Sequence, residues 1–367
     1  MIRLSNREDI EELLYGCLYY GGGGGGSFRE GLDLALKVLR IKGYIDISDI
    51  DEVRNEDILA TVSAVGVQSK SSTFEMNYIV DAIRLLESQS VSLYGLIPSE
   101  VGAFNTVVPW VGYALYNLTL VDAPCDGRAH PTTLMGSMGL HKREGYTSRY
   151  AIVGGDKARG TYLKVYTEGR LHVNSRLARL ASIYAGGMVI TVRNPIEARY
   201  AREHGAPGSI KKALEIGRII RKYLNVDLAE ACYKAIEKSN GVVIDECILD
   251  KVMLDSREGF DAGYIKLHSS SDEYKVFYLN EYMALDSNSR GRLATFPDLI
   301  VLFNLKTGLP VLSSEASKFL NGKILIAVVN RSNLILGDGV KYPEAYEVVE
   351  EILGIKLTPY IRDILIN

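Results

Sequence analysis

Four side chains able to move protons or hold a polar ring lie between residues 122 and 130: Asp122, Asp126, Arg128 and His130, within the run VDAPCDGRAHP. Gly127 and Pro131 already supply the turn chemistry of that loop, so four such side chains exceed what a turn requires. One carboxylate would serve as general base for water, Arg128 would orient a polar substrate, and His130 would exchange a proton near neutral pH. The structural alternative is an ion pair between Asp122 and Arg128. Upstream, Glu100 and Asn105 sit in a glycine-containing turn. Glu100 reads there as an acid/base with Asn105 as a positioning amide, or as an acid favouring the positive first turn of a helix capped by Ser99.

Strands must present both sets. Val91–Ile97 and Thr119–Asp122 read as strands, and in open α/β sheets ligands bind beyond the carboxyl ends of the strands. If the two are parallel neighbours, Glu100 and the Asp122–His130 loop face one crevice. The surrounding rhythm supports this: a strand at Ile58–Val65, a helix at Met76–Ser88 and a helix near Ala103–Leu118, which Pro109 is expected to kink or shorten. The pattern predicts an α/β N-terminal domain, Rossmann-like, with a mostly parallel sheet. Two amphipathic helices precede it, one capped by Ser5 or Asn6 and running to about Tyr20, the other from Phe28 to Ile41 and closed by Gly43. Between them lies Gly21–Gly26. By composition this is a flexible linker. By position, directly before a helix, it makes Gly23, Gly24, Gly25 and Gly26 candidates for holding an anion through backbone N–H groups. No strand precedes it, so it is not a dinucleotide fingerprint.

Beyond Gly145 the character changes. Tyr150–Val153, Tyr162–Tyr166 and Met188–Val192 read as strands, Ser175–Tyr184 and Ser209–Tyr223 as helices. From Gly241 short strands dominate until a last helix at Pro343–Leu353, which suggests a sandwich or barrel. The expected organisation is therefore an α/β domain over 1–147 and a mainly β domain with a few helices over 148–367. Residues 175–240 mix both types and are able to pack back on the first domain.

A chain of 367 residues fits two domains, and a formal charge of −3 speaks against a broad nucleic-acid footprint. The start is an amphipathic charged helix, and no apolar run approaches the roughly 18 residues of a membrane span, so cytoplasmic residence is expected. Cys17, Cys125, Cys232 and Cys247 form no CxxC pair, which removes zinc knuckles and redox dithiols. Cys125 has no evident histidine partner and reads as a buried thiol. A divalent metal on His130, His141, Asp122, Asp126 and Glu100 stays open, although no HxH or HExxH spacing supports it. His172, His204 and His268 are scattered.

With these residues assembled, the chain resembles the S-methyl-thiohydantoin desulfurase family, related to domains found beside hydantoinase/oxoprolinase-type proteins. The family's glycine stretch corresponds to Gly21–Gly26, its Glu-x-Gly-x-x-Asn turn to Glu100, Gly102 and Asn105, and its ValAsp…GlyArgAla-x-Pro stretch to Val121, Asp122, Gly127, Arg128, Ala129 and Pro131. Further on, AlaProGly at 206–208, LeuGluIleGly at 214–217, AsnGlu at 280–281 and ProAspLeuIle at 297–300 fit its spacing. Pro124 stands where the family usually has a second acid, Thr132 where it tends to have Glu, and Ser27–Phe28 where it often has AspPro. The resemblance implies hydrolytic loss of methanethiol from an S-methylated thiohydantoin, a small-molecule substrate. Asp122 or Asp126 would then be the base, Arg128, Asn105 and the glycine amides the oxyanion or nitrogen supports, and Glu100 the holder of a ring N–H. A shifted heterocyclic substrate, or a non-catalytic subunit partnering a hydantoinase-like enzyme, are the competing readings. A nucleotide-binding role would rest only on the α/β half and the glycines. A homo-oligomer is a further expectation, from family habit and the tyrosines of 15–20.

Overall fold

A computed structural model describes residues 1–66 and 74–366. The first half comprises β1 (Ile2–Leu4), α1 (Arg7–Tyr20), α2 (Phe28–Lys42), β2 (Ile45–Asp49), β3 (Ile58–Gly66), α3 (Met76–Glu87), β4 (Gly95–Pro98), α4 (Trp110–Tyr116) and β5 (Thr119–Asp122). It continues through β6 (Ser148–Gly154), β7 (Leu163–Gly169), α5 (Leu171–Tyr184), β8 (Met188–Glu197), α6 (Ala198–His204), α7 (Ser209–Leu224) and α8 (Leu228–Lys238). Asn6 caps α1 through the Asp9 N–H, and Gly43, at φ +79°, closes α2, as their sequence signals predict.

The eight strands of this half form one sheet in the order β1-β2-β5-β4-β3-β8-β6-β7. The β2-β5-β4-β3 block is parallel, whereas β1 and the β8-β6-β7 group run antiparallel to their neighbours. The sheet is therefore mixed rather than mostly parallel. Helical crossovers join β3 to β4 and β4 to β5 as parallel neighbours, whereas β6 and β7 are a hairpin and α5 carries the chain from β7 over β6 to β8, so that β6 runs antiparallel to both. The sheet also runs past 147, because β6, β7 and β8 complete it.

The helix expected over 103–118 contracts to α4. Pro109 is its N-cap, and the backbone before it is spent elsewhere: the N–H groups of Phe104 and Asn105 donate to Gly25 O. Helix α7 packs along α1, so this part of the 175–240 segment does turn back on the N-terminal elements. The LeuGluIleGly run explains the crossing. A Cβ on Gly217 would lie 1.5 Å from Glu12 O, and one on Gly16 would lie 1.7 Å from Ala213 O. Two helices touching at backbone distance need glycine on both.

The second half is β9 (Val242–Arg257), β10 (Phe260–His268), β11 (Glu273–Leu279), β12 (Glu281–Ser287), β13 (Gly291–Thr295), β14 (Leu299–Asn304), β15 (Leu309–Pro310), β16 (Lys323–Val329) and α9 (Glu347–Leu353). All eight strands form a single antiparallel sheet, ordered β13-β12-β11-β10-β9-β16-β14-β15, in place of the expected sandwich or barrel. Its end strands β13 and β15 are not paired with each other. One core joins the halves: Leu299, Val301, Phe303, Leu325 and Ala327 of the second sheet pack with Tyr19, Ile210, Ala213, Cys232 and Ile236 of α1, α7 and α8. Among the described residues no helix is long and apolar enough to cross a membrane.

Candidate functional site

Beyond the carboxyl ends of β3, β4 and β5 opens a cleft of about 560 Å³, and the second sheet closes its far side. Glu100, Asn105, His130, Arg179, Arg193 and Glu281 all line it. The loops after β4 and β5 thus converge, because those strands are parallel neighbours.

Glu100 is held on both oxygens. Asn105 Nδ2 donates to Oε1 at 2.6 Å and the His130 backbone N–H donates to Oε2 at 3.2 Å, while Asn105 Oδ1 accepts from the Ala64 N–H at 3.0 Å. Asn105 is therefore fixed from both ends and orients the carboxylate. His130 Nε2 lies 3.1 Å from Ser99 O and 3.5 Å from Glu100 Oε2. A carbonyl acceptor assigns the proton to Nε2, leaving Nδ1 as a bare acceptor, and that buried atom has no partner among the described residues. Burial holds the imidazole below its usual pKa, with Glu100 pulling the other way.

Glu281 was not among the sequence candidates, although AsnGlu at 280–281 was noted. It starts β12 after a turn in which Asn280 has φ +58°. A polar pair at a hairpin looks like ordinary turn chemistry, so only burial singles it out: Glu281 is 1% exposed. Its Oε1 accepts from the Gly25 N–H at 3.3 Å, and its buried Oε2 has no partner among the described residues. Burial, reinforced by the charge of Glu100, pushes its carboxyl well above the usual range.

The glycine run is neither linker nor open anion cradle. It is wedged between the halves: Tyr282 N–H donates to Gly22 O, Ser313 N–H to Gly23 O, and Phe104 N–H to Gly25 O. A Cβ on Gly24 would lie 2.0 Å from Glu281 Oε1, and one on Gly25 (φ +76°) 2.4 Å from Gly102 Cα. The acid met by the loop, through the Gly25 N–H, is the protein's own Glu281. Of the four candidate glycines, Gly26 lines the cleft, while Gly23, Gly24 and Gly25 lie behind it.

The remaining candidates are placed elsewhere. Asp122 accepts from the Ile210 and Lys211 N–H groups at 2.9 and 3.0 Å, capping α7 in the manner of an N-terminal carboxylate. Burial pushes it up to about 6 against those donors. It makes no ion pair with Arg128. Asp126 Oδ1 accepts from the Gly337 N–H at 2.9 Å, and burial pushes its carboxyl up to about 7. Arg128 donates to the carbonyls of Ala129, Pro297 and Asp298 and stacks 4.4 Å from the Phe296 ring centre; burial lowers its pKa to about 10. None of the three lines the cleft. Cys125 is buried against Thr61 Oγ1, its thiol pushed up to about 11 by burial.

Two arginines missed by sequence reasoning face the cleft. Arg193, on β8, donates to Ser63 Oγ and Thr191 Oγ1, and its buried Nε has no partner among the described residues. Arg179, on α5, donates to the carbonyls of Gly66, Pro131 and Gly259, stitching β3, the His130 loop and the β9–β10 turn together. Both are single basic residues in ordinary-looking elements and carry no local signal. Among the described residues no three His, Cys, Asp or Glu side chains are grouped to hold a metal ion. The five candidate ligands divide: Glu100 and His130 meet in the cleft, Asp122 and Asp126 bind backbone, and His141 bonds Glu344 at 3.2 Å.

Two family models match the chain: the S-Me-THD-like N-terminal domain over residues 8–160 and the S-Me-THD-like C-terminal domain over 171–329. No curated protein matches it by sequence. Among solved structures it is similar to the crystal structure of a protein from Chromobacterium violaceum determined by a structural-genomics consortium. The two share 20% identity, with 96% of each chain covered and a TM-score of 0.72, a likeness of fold.

Proposed function

The chain belongs to the S-Me-THD-like family, and from that membership and the geometry of the cleft we propose that it is a hydrolase acting on an S-methylated thiohydantoin or closely related cyclic thioimidate. The observation that carries this reading is the pairing of two differently supported carboxyl groups on one cleft. Glu100 is oriented by Asn105 and the His130 N–H, and Glu281 is buried with one oxygen that has no partner among the described residues. A carboxyl group oriented by hydrogen bonds and a second one enclosed away from water can divide base and acid roles between them.

The base role expected of Asp122 or Asp126 moves to Glu100, because Asp122 caps α7 and neither aspartate lines the cleft. Water adds to the sp² carbon between the ring nitrogens as Glu100 takes one of its protons. Protonated Glu281 gives its proton to the ring nitrogen as C=N becomes C–N, so charge does not build up there. The tetrahedral carbon then expels methanethiolate while the new hydroxyl returns a proton to Glu281. The thiolate takes the proton from Glu100, and hydantoin and methanethiol are the products. Arg193 Nε is the group free to support the developing oxyanion. Ser27 and Thr132, two places where the chain departs from the family pattern, also line the cleft.

The test is release of methanethiol from S-methyl-thiohydantoins by the purified protein, followed with a thiol reagent across pH. With Glu281 acting as an acid of raised pKa, kcat/KM falls on an alkaline limb, and Glu281→Gln, which does not titrate, lacks that limb. No turnover, with tight association to a hydantoinase-like enzyme, would replace this reading by the binding-subunit one.

A further inference from the structure

Next to the catalytic cleft lies a second cavity of about 840 Å³, larger than the first, which the reaction above does not use. The two share Thr132, Thr133 and Arg179. Those residues directly follow His130 in the chain or pack on its loop, so the shared sill stands beside the reacting groups.

The chemistry of the two spaces is opposite. The catalytic cleft is lined by Glu100, Glu281, His130 and Arg193 among other charged and polar groups. The floor of the second is built from Leu134, Leu180, Ile183, Phe260 and Val348, with charged side chains such as Arg176 and Glu347 around it. Leu180 and Ile183 are 51% and 52% exposed on α5, apolar surface that nothing in the fold covers. The sill itself is rigid: Arg179 donates to three backbone carbonyls and lies 3.9 Å from the Phe260 ring centre. A fixed guanidinium on a ring leaves the floor preformed for an apolar occupant.

We propose that this cavity is the subsite for a bulky apolar substituent, aryl or branched alkyl, carried by the heterocycle whose ring sits in the catalytic cleft. The proposal rests on the hydrolytic reading only for which ring is bound. A bare five-membered ring with a methylthio group fills a small part of the first space and leaves the second empty. A substituent passing over the Thr132–Thr133 sill removes its own apolar surface and that of Leu180 and Ile183 from water, which strengthens binding without touching Glu100 or Glu281.

Calorimetry with hydantoin and 5-benzylhydantoin, analogues of the reaction product, tests this without requiring turnover. The benzyl compound binds roughly tenfold or more tighter, as burial of one aromatic group implies. In Leu180→Asp and Ile183→Asp, substitutions at half-exposed positions that the fold tolerates, that ratio shrinks toward one. Equal affinities for the two compounds, or a ratio unmoved in both variants, would overturn the subsite. Preferential binding of the benzyl compound without hydrolysis of its S-methyl-thiohydantoin counterpart supports the subsite and removes only the hydrolytic reading.

Discussion

Glu100 and Asp122 follow neighbouring parallel strands of one sheet, and both are nearly fully buried, at 3% and 1% exposure. Burial alone does not tell them apart; their hydrogen-bond partners do. Asp122 faces the end of α7, whose two N–H donors occupy both oxygens, so its charge is used within the fold. Glu100 faces the cleft, and its partners are an amide side chain and a loop N–H that orient it toward open space. In the second pair, Asp126 and Glu281 each accept one backbone N–H and keep one buried oxygen without a partner among the described residues, but only Glu281 lines the cleft. An acid at a strand's carboxyl end becomes chemistry only when the following element leaves it a ligand to meet.

The sharpest way to break this contrast is Glu100→Gln. It retains shape and an acceptor but removes the base, so turnover should fall by about 10² to 10⁴ while the melting temperature stays near that of the unchanged protein. A loss confined to stability would place Glu100 with Asp122.

Asp122→Ala should do the reverse. It strips the cap from α7 and leaves two buried N–H groups without partners, at a cost of about 1–3 kcal/mol by denaturant titration, with activity per folded molecule kept. Loss of turnover in fully folded Asp122→Ala would return the base role to that residue.

The last prediction concerns Asp126. Burial raises Asp126 to about 7 in the folded chain, whereas an unfolded aspartate titrates near 3.9. The folded state therefore holds a proton that the unfolded state releases. That contribution to stability is complete below about pH 4 and is lost as pH rises through 7. Asp126→Asn, permanently neutral, should escape this loss, so its melting temperature should gain on the parent between pH 5 and pH 8.5. A difference that does not change with pH would show that Asp126 keeps its charge when folded.

Local signals were legible wherever a residue's role depends on its chain neighbours. Asn6 and Gly43 mark helix ends, Thr119–Asp122 is read to the residue, and Pro109 marks where α4 begins. The convergence of Glu100, Asn105 and His130 followed from strand order, since parallel neighbours point their following loops the same way. What the sequence could not reveal depends on pairing across long separations. The strands of 148–197 joined the first sheet because β8 pairs with β3, a register no local pattern encodes. Asp122 became a cap because α7 starts 87 residues later, against the end of β5. Glu281 reached the cleft because the glycine run brings the two halves to backbone contact, so that a carboxylate 256 residues from Gly25 bonds its N–H. Residue types and spacing determined which groups were able to react; tertiary packing decided which of them border open space and which are enclosed within the fold, because hydrogen-bond partners and access to a ligand are both assigned by proximity in space.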